Sequence, residues 1–359
     1  MINQRLFNHY NINTKKNLEI ETMCPRPYDT ILIDKMGSCY ACECQSWLPQ
    51  SIGNLQVKTL GEIVGDTERF PGAKPNELRK HLQDSIRDRS YRYCNEHQCS
   101  WLLAKIPFEQ RVRNRPRYRI KHLRLAIDDS CNLRCPSCRK DLIFHKEGSA
   151  YDLGIKLADK INDFVNDWDH RYMLQIHMGS DGDPFASHVY RYFMETTPER
   201  DNVKYSILTN GLMFKDFHNK TPYVIENLLE LGVSIDGATE KTYEQLRLGG
   251  KWEKIIENLE FMAKLKREIG FRFVLHFVVQ RDNYHEMEDI IKLGKKYEAD
   301  RVCLNKLQDW NVLPQFSEKN IFKYSHPQHE DYRKKLRALT PYLGTGKRPY
   351  VQLSLPDLF

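Results

Sequence analysis

The sequence predicts an α/β protein: six successive β-α units over most of its length, preceded by a small cysteine-rich block. Three observations carry this. From Lys121 onward, short β-rich runs alternate with helix-length amphipathic segments, the pattern of parallel strands joined by helical crossovers in an open sheet or a barrel. The residues after each run are small, polar or glycine-rich, and in parallel α/β folds those strand ends gather on one face, where ligands bind. Of the ten cysteines, six fall in the first hundred residues, three between 131 and 138, and Cys303 stands apart. Two separate thiol groups are implied.

Composition bounds the rest. With 40% hydrophobic residues and 16 Phe, 19 Tyr and 5 Trp, the chain has the apolar content to bury a core, which excludes general disorder. A length of 359 residues suits one large and one small domain. No stretch reaches the roughly 18 consecutive apolar residues of a membrane span, and residues 1–21 lack the apolar run of a signal peptide. A cytoplasmic protein with no membrane partner is expected. Its cysteines then point to metal or redox chemistry, because the cytosol keeps thiols reduced. The net charge of +7 is a modest excess that suits an acidic or phosphorylated partner and does not point to nucleic acid.

In chain order, residues 22–105 form the cysteine-rich block. Residues 30–34 read as a strand entering a turn at Lys35-Met36-Gly37, with Cys39, Cys42 and Cys44 on or after the returning strand. Residues 59–90 have helical character and lead to Tyr93-Cys94-Asn95-Glu96-His97-Gln98-Cys99. A basic linker, 106–120, holds Arg111, Arg113, Arg115, Arg117 and Arg119; an exposed charge run is its ordinary reading, a binding patch the other. Within 121–312 the expected strands are 122–127, 172–178, 203–208, 232–235, 271–279 and 301–305, with helical spacing at 153–167 and 252–269. The tail, 313–359, contains a charged helix-like stretch near 330–339 and has no readable role.

Cys131-Asn132-Leu133-Arg134-Cys135-Pro136-Ser137-Cys138 spaces three thiols as C-x3-C-x2-C directly after the first of these strands. Three thiolates can hold three irons of a 4Fe-4S cube and leave the fourth iron open. A structural zinc site needs a fourth protein ligand, and His145, the nearest downstream histidine, is not at zinc-finger spacing.

On these residues the chain resembles the radical S-adenosylmethionine (SAM) superfamily. The resemblance implies a partial (β/α)6 TIM-type barrel as the catalytic core and a 4Fe-4S cluster on Cys131, Cys135 and Cys138. It also implies SAM chelated to the open iron, and an electron donor such as flavodoxin or ferredoxin. One electron would cleave SAM to methionine and a 5′-deoxyadenosyl radical, which abstracts hydrogen from substrate; the cofactors carry the hard chemistry and the protein orients them. Ser180-Asp181-Gly182-Asp183-Pro184 resembles the family's glycine-rich acidic motif for the amino group of SAM, with Gly182 allowing backbone approach and Asp183 offering a carboxylate. Asn210 and Ser234 match positions facing the ribose or carboxylate of SAM, and Arg247 resembles a family arginine near the same end. The chain departs from many members at Ser137, where they carry an aromatic residue.

The first cysteine group, with Cys24-Pro25, Cys42-Glu43-Cys44 and Cys94-x4-Cys99 around Trp47, Gly53, Gly61 and Arg79, resembles SPASM or twitch domains, which hold auxiliary 4Fe-4S clusters. Those usually follow the barrel, whereas here the block precedes it. The expected auxiliary ligands are Cys24, Cys42, Cys94 and Cys99, with Cys44 competing with Cys42 and Cys39 spare. Zinc is the other reading of this group, since it accepts four thiolates equally well. Relatives with auxiliary clusters often modify peptides or proteins, so the resemblance implies a peptide substrate; carbohydrates and other small molecules are the alternative. A reading from another class is a binding protein in which zinc staples both cysteine groups.

Cys303 and Asp309 are the weaker catalytic candidates, the first on the sixth expected strand and the second at its end before Trp310. A lone buried cysteine is more often a small hydrophobe. His177 and His276 fall on expected strands, where a hydrogen-bonded structural role is the ordinary account.

Overall fold

The computed structural model describes residues 24, 26–42, 48, 50–65, 77–88, 90–94, 120–343 and 350–354. Cys44, Cys99 and the basic linker up to residue 119 lie outside the described residues. The fold is α/β on a parallel-strand sheet that is open, not closed, as a partial TIM-type core requires. The chain divides into two compact units: Met1–Asp128 with Glu147–Ser180 and Thr196–Lys204, and Asp129–Lys146 with Asp181–Glu195 and Tyr205–Phe359.

The first unit contains β1 (Thr30–Asp34), β2 (Ser38–Tyr40), β3 (Gly53–Asn54), α1 (Leu60–Val64), α2 (Glu77–Arg87), β4 (His122–Ala126), α3 (Ser149–Asn166) and β5 (Leu174–Met178), with strands in the order β5-β4-β1-β2-β3. The expected hairpin is present: β1 and β2 pair antiparallel, and Asp34 Oδ1 accepts from the amides of Met36 (2.9 Å) and Ser38 (2.8 Å) to close the turn. Beyond that expectation, β1 runs parallel to β4, from Thr30 opposite His122 to Asp34 opposite Ala126. All but the last residue of β1 are buried, so this strand is clothed on both faces. Thr59 and Glu62 form a reciprocal capping box that starts α1. In α3, Leu157, Ile161, Phe164 and Val165 recur at helical spacing and are buried, giving the helix its single apolar stripe.

The second unit contains α4 (His188–Thr196) as far as Glu195, β6 (Val203–Thr209) from Tyr205 onward, β7 (Leu228–Ser234), α5 (Glu240–Leu246), α6 (Trp252–Ile269), β8 (Arg272–Val279), α7 (Met287–Lys296), β9 (Arg301–Lys306), α8 (His329–Ala338) and β10 (Val351–Ser354). Strands β6 to β10 lie in sequence order and all pair parallel. Leu231, Val233, Phe273, Leu275, Phe277, Val302 and Leu304 are buried on one face, with α6 packed on β8 and α7 on β8 and β9. The other face is half-polar. There, Glu230 meets Arg272, and Ser234, His276, Cys303 and Asn305 follow at alternate positions.

Six strands were expected, and β4 to β9 answer to them. β7 begins at Leu228, four residues before the expected 232, because the one-turn helix Pro222–Glu226 ends early enough to free Leu228 and Leu229 for the sheet. β10 was not expected. It pairs with β9 from Val351 opposite Val302, and four residues carry too little pattern to be read alone.

Packing at this edge is tight. A Cβ added to Gly294 in α7 would lie 2.6 Å from Val302 Cγ2 and 2.8 Å from the Tyr350 hydroxyl. Gly294→Ala is therefore expected to lower unfolding stability by about 1–3 kcal/mol, the usual cost of overpacking. Urea unfolding would check it; an unchanged or raised midpoint would show that β9 yields freely.

Candidate active site

The loop after β4 brings the three cysteines of the C-x3-C-x2-C motif together. The Cys131 amide donates to Ile143 O (2.9 Å), the Arg134 amide to Leu248 O (3.0 Å), and the Cys138 and Arg139 amides to Cys135 O (2.9 and 3.1 Å). Asp183 N reaches back to Ser130 O at 2.8 Å, and His145 is tied to the same loop through its amide to Ser130 Oγ (2.8 Å) and its ring to Asp129 Oδ1 (2.9 Å). The loop is therefore pinned by backbone bonds from three other segments. Cys131 and Cys135 are buried and Cys138 is exposed.

Donors surround the sulfurs. Cys131 Sγ accepts from the Leu133 amide (3.4 Å) and from Asn210 Nδ2 (3.7 Å), and Cys135 Sγ from Arg247 (3.9 Å). Asn210 also donates to Asn132 Oδ1 (2.8 Å) and accepts from the Leu212 amide (3.0 Å), so its amide has a fixed orientation. Burial, helped by Asp183, pushes the Cys131 thiol up to about 12; burial also raises Cys135, against the lowering effect of Arg247. Metal binding must expel those protons.

These residues fit an iron-sulfur cube. Among the described residues the three thiols share one loop with no fourth cysteine, one of them is exposed, and N–H groups point at the sulfurs of Cys131 and Cys135. Among the described residues the three sulfurs do not lie within 4.8 Å of one another. One zinc ion with bonds of about 2.3 Å would need them roughly 3.8 Å apart.

The loop after β5 behaves differently from expectation in one respect. Asp183 is buried, and its carboxylate is fully engaged: Oδ1 accepts from the Phe185 and Ala186 amides (both 3.1 Å), and Oδ2 from Thr209 Oγ1 and the Asn210 amide (both 2.7 Å). Four donors fill a carboxylate's lone pairs. Expected to offer its charge to an ammonium, this side chain instead ties its own loop to the end of β6 and fixes Asn210. Ser180 is exposed and Gly182 half-buried, with φ +67°, so backbone at these positions is what the loop leaves accessible.

At the end of β7, Ser234 is half-buried opposite His276, and Asp236 turns inward. The chain then passes so close under α5 that a Cβ on Gly237 would strike the backbone of Tyr243, which restricts this position to glycine. Thr239 caps α5 by accepting from the Thr242 amide. The buried Glu286 accepts from the Ala238 amide (2.6 Å) and the hydroxyls of Thr239 (2.8 Å) and Thr242. Helix α5 thereby delivers Arg247, whose guanidinium pairs with Asp236 Oδ2 at 2.8 Å and also reaches Cys135. Sequence reasoning missed Asp236; an Asp-Gly pair at a strand end reads as a turn, and nothing in the chain signals a pairing eleven residues on.

The weaker candidates are placed as follows. Cys303 is buried on β9, its thiol 3.9 Å from Gln352 Oε1 and pushed up to about 12 by burial. Asp309 is exposed and accepts from the Asn311 amide (2.8 Å) in its own turn. His177 lies 3.1 Å from His122. In the first unit, Cys24 is buried with its amide on Gln83 Oε1 (3.4 Å), Cys39 is buried on β2 with its thiol pushed above its ordinary range by burial, and Cys42 and Cys94 are half-buried.

Asn305 Nδ2 approaches His276 Nδ1 at 3.3 Å. Burial pushes His276 down to about 4, against Glu230 and together with Arg247 and Arg301. The unfolded chain, with an ordinary histidine pKa near about 6.5, binds more protons than the folded one between those values. Stability is therefore expected to fall as pH drops from about 6.5 toward 4. His276→Gln should flatten that part of the profile in urea unfolding. Equal slopes in both proteins would mean that His276 keeps its ordinary pKa in the folded state.

Comparison with known proteins places these features. Residues 127–294 match the radical SAM superfamily. The chain is 26% identical over 184 residues to a GTP 3′,8-cyclase of Synechocystis sp., covering 51% of this chain and 53% of that protein. It is 25% identical over 203 residues to a tungsten-containing aldehyde ferredoxin oxidoreductase cofactor-modifying protein of Pyrococcus furiosus, covering 52% of each. The chain thus spans about half the length of the curated relatives it matches. A similar solved structure is Streptococcus suis SuiB bound to precursor peptide SuiA, with 15% identity and a TM-score of 0.47 over 66% of this chain and 49% of that one.

Proposed function

We propose that this enzyme reductively cleaves SAM at a 4Fe-4S cluster on Cys131, Cys135 and Cys138 and abstracts hydrogen from its substrate, a reading supported by the match of residues 127–294 to the radical SAM superfamily. The observation that carries the reading is the convergence of three thiols, one exposed, under N–H donors from Leu133, Asn210 and Arg247. When bound, the cluster supplies one electron to SAM; everything else falls to this chain. The backbone around Ser180 and Gly182, held by Asp183, takes the amino group of SAM. Asn210 and Ser234 face its ribose and carboxylate, with Arg247 near the same end. The half-polar face of β7 to β9 receives the substrate, with Cys303 and Asp309 as the side chains nearest to a direct role.

The substrate assigned first is a peptide or protein side chain or backbone. It is supported by the likeness of the N-terminal cysteine block to auxiliary-cluster domains, with Cys24, Cys42, Cys94 and Cys99 as ligands of a second 4Fe-4S cluster and Cys44 in reserve. A small-molecule substrate is the second reading, favoured by the GTP 3′,8-cyclase of Synechocystis sp. at 26% identity. The reductant is of the flavodoxin or ferredoxin kind, and the setting is the cytoplasm.

The test is anaerobic. Protein reconstituted with iron and sulfide, given SAM and dithionite, should form 5′-deoxyadenosine. A fully iron-loaded protein that forms none would sink the reading.

A further inference from the structure

We infer that Asp236 is a positioning residue for the cluster: it holds the Arg247 guanidinium against Cys135 and so raises the potential at which the cluster accepts an electron. The inference rests on the proposed cluster at Cys131, Cys135 and Cys138.

Asp236 is 2% exposed and has φ +20°, a backbone value rare outside glycine. Such a conformation persists only where its surroundings over-determine it, and here they do. Oδ1 accepts from the Val278 amide (2.7 Å) on the neighbouring strand, and the main-chain oxygen accepts from Asn283 Nδ2 (3.0 Å). The remaining oxygen, Oδ2, is aimed at Arg247 NH2 (2.8 Å). That contact leaves NH1 of the same planar fork to reach Cys135 Sγ at 3.9 Å.

A turn at the end of a strand does not need a buried ion pair, and such a pair is weak evidence for stability because both charges lose their hydration. Orientation is what this one supplies. An arginine side chain is long and rich in rotamers, but its fork becomes fixed once a carboxylate takes one edge. Arg247 then presents a permanent positive charge and an N–H to a cluster sulfur. Both favour the more negative, reduced cluster, since net charge and hydrogen bonds to sulfur set the potential. The electron step is the one-electron reduction of the cube from its 2+ to its 1+ state, with the donor losing that electron. Arg247 touches both the sulfur and the carboxylate, so its charge is the nearer of the two and decides the sign.

The experiment is an anaerobic redox titration with a low-potential titanium(III) reductant, followed by the paramagnetic signal of the reduced cluster, on the reconstituted full chain and on D236N and R247K. Asp236→Asn removes a negative charge near the cluster, which alone would raise the midpoint. Losing the hold on Arg247 would lower it. A lower midpoint in D236N is the expected result, and a raised or unchanged one overturns the inference. Arg247→Lys leaves the turn intact and keeps a positive charge but cannot span both partners. It should also lower the midpoint, and an unchanged value in R247K overturns the inference even if D236N does not fold. Iron content and the brown absorbance of the wild type report separately on the cluster itself; their absence would remove the proposed function, not the role of Asp236 alone.

Discussion

Replacing any one of Cys131, Cys135 or Cys138 by alanine is expected to cut 5′-deoxyadenosine formation at least about 100-fold. Even losing an outer hydrogen-bond partner of a metal ligand typically costs 10–100-fold, and each of these variants removes one of the three proposed ligands outright. Cys303 is the control. It sits on β9 beside Gln352, with its thiol pushed up to about 12 by burial, so Cys303→Ala should leave iron content unchanged while each of the three motif variants lowers it. Anaerobic product assays alongside iron analysis would check both halves. Full activity in a motif variant, or iron loss in C303A, would mean that the cluster is held elsewhere.

Asp183→Ala is expected to destabilise the fold by about 1–3 kcal/mol, the cost of leaving buried donors without their acceptor. The carboxylate serves four donors, the amides of Phe185, Ala186 and Asn210 and the hydroxyl of Thr209, and in alanine all four are orphaned together. Asparagine is not a mild alternative. Its NH2 would face two of those donors where an oxygen now stands, so D183N should also lose stability, though less. Urea unfolding at neutral pH is the measurement; a loss below about 1 kcal/mol in D183A would show that the loop is held mainly by its backbone.

The legible part of the fold was the part written in periodicity. β8, Arg-Phe-Val-Leu-His-Phe-Val-Val, and α6, with Ile255, Leu259 and Met262 buried at helical spacing, repeat their pattern long enough to be read alone. β10 and the parallel pairing of β1 with β4 depend on partners far away in sequence, and short segments carry no record of who pairs with them. The same division runs through the site. Cys131, Cys135 and Cys138 are close in sequence, so their spacing can be read without the fold. The sequence marks Asp183 for the site but not the direction of its carboxylate, which is decided by donors such as Thr209, 26 residues on. Asp236 reads as a turn for the same reason.

Glu286 lies in the second unit's β8–α7 connection and reaches no sulfur, yet it grips the start of α5, whose far end carries Arg247. Seven residues of helix clamped at both ends act as a strut. A laboratory selection for faster or more oxygen-tolerant variants should therefore return substitutions around Glu286 that look remote on any map of the site but shift it as a unit. Chemists redesigning this end of the sheet could treat the strut as a tuning screw, adjustable without touching any of the three motif cysteines.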